Sequence, residues 1–156
     1  MKLIINCLSP LLFMAIAASG QANKIENSPV FPLGNKVTNG NFTGNVWLQM
    51  LVSNDTIYNS NIGSVTFGPG ARSKWHSHPG GQLLLVTEGK GLYQEKGQPV
   101  KLIKKGDVIK CPPNVVHWHG ATPTDAMTHI AIGTNTQKGS VVWMDYVTDF
   151  EYKSFK

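Results

Sequence analysis

Gly70-Ala71-Arg72-Ser73-Lys74-Trp75-His76-Ser77-His78-Pro79-Gly80-Gly81-Gln82 runs straight into the apolar stretch Leu83-Leu84-Leu85-Val86 and closes at Glu88-Gly89. In an extended strand, side chains two apart leave from the same face, so the imidazoles of His76 and His78 enter one space. Pro79-Gly80-Gly81 then reverses the chain, Pro by fixing φ and Gly by accepting φ > 0, and returns Gln82 beside them. Two nitrogens and one amide oxygen converge, a donor set for a metal ion. His-x-His alone also describes two surface imidazoles on an exposed strand. The rest of the chain shifts the balance: all five histidines fall between His76 and His129, and His117, His119 and His129 sit in other apolar segments of strand character.

Outward from this stretch the pattern is all-β. Strand composition is expected over 42–52, 62–67, 73–78, 82–87, 91–95, 100–103, 107–110, 115–119 and 127–132, with Ser53-Asn54-Asp55, Gly89-Lys90, Lys96-Gly97-Gln98, Lys104-Lys105-Gly106 and Pro112-Pro113-Asn114 as turns. No segment before residue 140 sustains an apolar period of 3.6, which disfavours a βαβ arrangement and favours a sandwich or closed barrel. Only the tail changes character: Thr148-Asp149-Phe150-Glu151 matches a capping box and predicts a short C-terminal helix.

The 156 residues suit one domain. Residues 1–22 have the parts of a secretory signal: Lys2, an apolar run through Leu11 to Ala18, then Ser19-Gly20. Asn6, Ser9 and Pro10 interrupt the run and leave it short of the ~20 apolar residues that a membrane span needs. The expectation is export to a bacterial periplasm or beyond, with no membrane attachment once the leader is removed. Residues 23–41 read as an extended lead-in tacked to the body by Val30, Phe31 and Leu33, and residues 42–156 as the barrel domain. Of two cysteines, Cys7 lies in the leader and leaves Cys111 alone, so no internal disulfide is expected. The net charge of +5 gathers partly in Lys101, Lys104, Lys105 and Lys110. Without interleaved aromatic residues these read as the solvent face of strands, not a nucleic-acid surface.

A second stretch, Gly106 through Pro112-Pro113-Asn114-Val115-Val116-His117, has the glycine, proline and histidine spacing that pairs with Gly70 to Gly89 in the cupin superfamily. Together they resemble that family over residues 65–131. The resemblance implies a double-stranded β-helix, or jelly-roll barrel, with one metal ion held inside by His76, His78, Gln82 and His117. Two positions depart from the family pattern. Gln82 stands where an acidic ligand is usual, and Asn114 where Gly is usual, although Asn tolerates the left-handed conformation. A neutral amide in place of a carboxylate leaves a site one unit more positive, which strengthens a bound ion as a Lewis acid and disfavours higher oxidation states.

Within the family, the runs Ala71 to Gln82, His117 to His129 and Trp143 to Asp149 resemble small bacterial cupins that include manganese-dependent hydroxynitrile lyases of the (R)-mandelonitrile lyase type. That resemblance implies Mn(II), with Fe(II), Zn(II), Ni(II) or Co(II) also compatible with such a nitrogen and oxygen donor set. It makes His119 and His129 acid/base candidates, places Val65, Ser73 and Met127 in the substrate pocket, and implies a homodimer or higher homo-oligomer. Gly133 stands where lyase-type members carry Gln. The function expected is Lewis-acid carbon–carbon cleavage of a small oxygenated substrate. A metal-dependent dioxygenase and a non-catalytic module binding a sugar or other small ligand are the alternatives. Trp75 and Trp118, alternating with the histidines, should face the opposite side of their strands.

Overall fold

The computed structural model describes residues 29–155. The leader expected over 1–22 and the first residues of the lead-in lie outside that range. In chain order the strands are β1 (Asn35–Lys36), β2 (Phe42–Thr43), β3 (Val46–Asp55), β4 (Ser60–Phe67), β5 (Arg72–Ser73), β6 (His76–Ser77), β7 (Gln82–Glu95), β8 (Lys101–Lys104), β9 (Val108–Cys111), β10 (His117–Ala121), β11 (Met127–Gly133) and β12 (Val142–Trp143). A 3-10 turn covers Thr136–Lys138, and the helix α1 covers Asp149–Tyr152. Every pairing is antiparallel.

The strands form two curled sheets sharing one long strand. One sheet runs β1-β3-β4-β11 and then the first half of β7, with β9 beyond it. The other is β8, the second half of β7 and β10, which pairs on its far side with β5 and β6, these in turn carrying β2 and β12. This is the all-β, jelly-roll architecture expected of a cupin, with one short helix. That helix starts where the capping box put it: Thr148 accepts from the Glu151 backbone N–H at 3.2 Å, and the Glu151 carboxylate accepts from the Thr148 backbone at 2.9 Å.

Three local readings need correction. Residues 82–95 are one strand and not two, because Gly89-Lys90 is a bend that carries the chain from one sheet to the other. Gly89 has φ of 71° and a methyl group there would stand 1.9 Å from the Ala126 carbonyl oxygen, so only glycine permits the crossing. The register slips beside it, His129 opposing Val86 and Thr128 opposing Glu88, a bulge that sharpens the bend. Ser53-Asn54-Asp55 belongs to β3, and the reversal falls after it, where Asp55 Oδ1 accepts from the Tyr58 backbone at 2.6 Å and Asn59 adopts φ of 47°. Val30 and Leu33 are exposed, so the lead-in is tied down by β1 on β3 and by Val37 against the core instead.

The main core lies between the sheets and includes Phe67, Leu84, Val86, Tyr93, Ile103 and Met127. A second cluster of Trp75, Leu92, Trp118, Val147 and Tyr152 lies on the outer face of the second sheet. Trp75 and Trp118 thus face away from the histidines beside them, as strand alternation requires. The C-terminal segment is fastened over them by Arg72, which donates to Val147 O at 3.2 Å and Asp149 Oδ1 at 2.7 Å and lies 4.5 Å over the Tyr152 ring. Tyr152 in turn donates to Ala121 O at 2.8 Å. Because both faces of β10 are covered, all five of its residues are buried. Among the described residues Cys111 is a free, buried thiol.

Candidate metal centre

The histidines meet between the sheets because β6, β10 and β11 carry His76, His117, His119 and His129 there and the turn after β6 adds His78. β6 lies against β10 with His76 opposite His117, and their ring centroids are 4.3 Å apart. His119, two residues on, faces the same way, with its ring 5.2 Å from His76 and 4.8 Å from His129 on β11. His78 lies just past β6, 5.2 Å from His76 and 5.7 Å from His117 between ring centroids. The turn after it closes through Gly81 N–H to His78 O at 3.0 Å. Gly81 takes φ of 86°, while a methyl group on Gly80 would stand 1.9 Å from Thr134 O, so the glycine pair both turns the chain and lets it pass under Thr134. Gln82 then enters β7 with its Oε1 3.4 Å from His117 Nε2.

The donors are arranged as acceptors without protons. His76 Nδ1–H donates to Lys74 O and His117 Nδ1–H to Val115 O, each at 2.9 Å, which leaves both Nε2 atoms as lone pairs. His117 Nε2 therefore faces the amide oxygen of Gln82, acceptor against acceptor. His78 Nε2 is buried without a hydrogen-bond partner. Buried acceptors that oppose each other or lack a donor are costly unless a cation or a donating water joins them, and converging imidazole nitrogens with an amide oxygen are a donor set that fits a bound metal ion. The ring nitrogens of His76, His117 and His119 lie within 4.8 Å of one another, making three buried histidines able to hold one.

All five imidazoles are held neutral at pH 7. Burial drives His76 and His119 well below their ordinary range, with the other imidazoles adding to the effect, and lowers His117. Burial, reinforced by His117, takes His78 to about 4, and burial takes His129 to about 4. An unfolded chain protonates these groups near pH 6.5, whereas the folded chain resists until about 4 at His129. Stability of metal-stripped protein is therefore expected to fall as pH falls through that window, because the unfolded state binds the extra protons. Thermal melts between pH 7.5 and 4.5 check this; a flat profile would contradict it.

A cavity of about 440 Å³ opens onto the histidines, with His76, His78, Gln82 and His119 on its wall. His117 and His129 are fully buried behind that wall. Of the expected pocket residues, Val65 lines the cavity, opposite His129 in the sheet. Ser73 stands behind it, its Oγ accepting from the His119 backbone N–H at 3.2 Å and lying 3.5 Å from His76 Nδ1. Met127 is fully buried in the core. Phe42 and Trp143 form an aromatic side of the cavity that the sequence reading did not assign. Trp143 lies 4.8 Å from His76 and 5.6 Å from Phe42 between ring centroids. Its place in the run Trp143 to Asp149 was the available signal, since β12 pairs Trp143 directly opposite His76.

The family model for the cupin domain matches residues 63–133. (R)-mandelonitrile lyase of Granulicella tundricola is 52% identical over 90 residues, spanning 58% of this chain and 69% of that enzyme. The chain belongs to the cupin family. Among solved structures, this cupin is similar to a cupin-like protein of Thermotoga maritima, with TM-score 0.80 and 50% identity over 83% of this chain and 98% of that one. A cupin 2 conserved barrel domain protein of Rhodopseudomonas palustris, with TM-score 0.60 and 17% identity over 70% of this chain and 74% of that one, shares the fold.

Proposed function

We propose that this cupin is a hydroxynitrile lyase-like enzyme that cleaves a cyanohydrin into an aldehyde and hydrogen cyanide. The observation that carries the reading is the pair of facing acceptors, Gln82 Oε1 on the cavity wall and His117 Nε2 behind it, 3.4 Å apart. Likeness to a mandelonitrile lyase supports the choice of reaction. In this reading His76, His78, Gln82 and His117 hold one divalent ion, Mn(II). When bound, such an ion supplies Lewis acidity, withdrawing charge from a substrate oxygen. The neutral amide of Gln82 leaves that acidity undiminished by a carboxylate in the ligand set.

His119 serves as the base, because burial keeps it neutral and it reaches the cavity wall. It takes the proton of the substrate hydroxyl; the oxygen's electron pair forms the carbonyl, and the carbon–carbon pair leaves with cyanide. The proton then passes from His119 to cyanide. His129, ring edge to His119, supports the base from behind rather than touching substrate. The remaining substituent packs against Phe42, Leu48, Val65 and Trp143. At Gly133 a methyl group would meet nothing nearer than Asn61 O at 3.7 Å, so the position that carries Gln in lyase-type relatives leaves additional room here. Export through the leader read at residues 1–22, and assembly as a homo-oligomer, complete the proposal.

The test is cyanide release from mandelonitrile by Mn(II)-loaded protein, alongside a His119→Ala variant assayed for metal content. The expected result is turnover by the parent and roughly 10²- to 10⁴-fold slower turnover by a variant that keeps its metal. A loaded parent that releases no cyanide would refute the lyase reading. Loss of metal from His119→Ala would make His119 a ligand instead of the base.

A further inference from the structure

Gln82 is neutral, yet the inner face of the second sheet carries a carboxylate beside the site. Glu95 lies directly opposite His117 in the β7–β10 pairing, and Tyr93 lies directly opposite His119. Directly paired residues in an antiparallel sheet project to the same face with Cβ atoms roughly 5 Å apart. Glu95, Tyr93, His117 and His119 therefore share one face. Their neighbours Gln94 and Trp118 point to the other, where Trp118 Nε1–H donates to Gln94 Oε1 at 2.7 Å. Tyr93 is 2% exposed, donates its hydroxyl to Glu95 Oε1 at 3.0 Å, and has its ring 5.7 Å from that of His117. The hydroxyl thus pins the carboxylate on the buried side.

We propose that Glu95, held by Tyr93, is a positioning residue that supplies from beside His117 the negative charge which Gln82 does not supply from within the ligand set. This rests on the metal-binding reading above. His117 spends its Nδ1–H on Val115 O, so Glu95 acts on the site through space and not through a hydrogen bond to the ligand. A carboxylate placed there favours a cation at His117 Nε2 without occupying a coordination position. The ion keeps a neutral set of ligands, and its total charge is still partly offset.

The experiment is calorimetric titration of metal-stripped protein with MnCl2 at pH 7.5, for the parent, Glu95→Gln, Tyr93→Phe, and the double variant Gln82→Glu/Glu95→Gln. Glu95→Gln is expected to weaken Mn(II) binding roughly 10- to 100-fold, the range found when groups supporting a metal's ligands are removed. Tyr93→Phe should weaken it by less, and restoring a carboxylate at Gln82 should recover the affinity lost at Glu95. Parent-like affinity in Glu95→Gln, with the parent binding normally, overturns this inference alone. A weakened Glu95→Gln that the Gln82→Glu change fails to rescue also overturns it, since the loss would then be one of shape and not of charge. A parent that takes up no Mn(II) overturns the metal reading and this inference with it. Should Glu95→Gln not fold, Tyr93→Phe decides: weaker binding supports the role, and unchanged binding rejects it.

Discussion

Replacing His76 by alanine is expected to strip the metal from this cupin, lowering affinity by at least roughly 100-fold, above what the loss of a merely supporting group costs. His76 is placed to matter most. It is 2% exposed, its Nδ1–H is committed to Lys74 O, and its ring stands within 5.2 Å of those of His78, His117 and His119. Both ligand sets considered above, the three buried histidines His76, His117 and His119 and the set His76, His78, Gln82 and His117, include it. His129→Ala provides the contrast, because that ring faces Phe67 and His119 and has no contact with Gln82 or His78 among those described. Metal analysis after gel filtration separates the two. His76→Ala should retain less than about a tenth of the parent's metal and His129→Ala should retain most of it. Equal retention by both would mean that the ion, if bound, sits elsewhere.

Phe67→Ala should be the costliest single change to the fold. Its side chain is fully buried at the point where the core meets the site, 5.9 Å from Phe42, 5.6 Å from His119 and stacked 5.7 Å from His129 between ring centroids. Truncating a fully buried Phe costs about 3–5 kcal/mol, the lost transfer energy plus the cavity left behind. Against a total stability of about 5–15 kcal/mol that is a large share. A domain of this size should melt roughly 10–20 °C lower. Phe67→Leu, which keeps most of the volume, should lose much less. A melting temperature within about 2 °C of the parent for Phe67→Ala would show that the two sheets do not depend on this contact.

Much of this architecture is readable because it follows from periods and turns. The alternation that puts His117 and His119 on one face also sends Trp118 to the other. The glycine pair before Gln82 and the left-handed Asn114, with φ of 63°, are conformations the residues themselves announce. The capping box at Thr148 is a local hydrogen-bond pattern, and so it is legible in four residues. What was not legible depends on pairing between distant segments. The bend at Gly89 looks like a hairpin turn in sequence, and only the register of β11 against β7 shows that the strand continues. Phe42 and Trp143 reach the cavity because β2 pairs with β5 and β12 with β6; the run Trp143 to Asp149 marks Trp143, but nothing local marks Phe42. Glu95 has no local mark for the same reason: its proximity to His117 is a property of two paired strands, whereas the motif shows only that a carboxylate is missing at Gln82.

A metal ion held between the sheets is the central feature of this site, and its direct measurement is metal stoichiometry. Purified protein loaded with Mn(II), freed of unbound metal by gel filtration and analysed by mass spectrometry, should carry one equivalent per chain. The His76→Ala variant treated in parallel should carry almost none. Folded parent protein that retains no Mn(II) and none of the other divalent ions would contradict it.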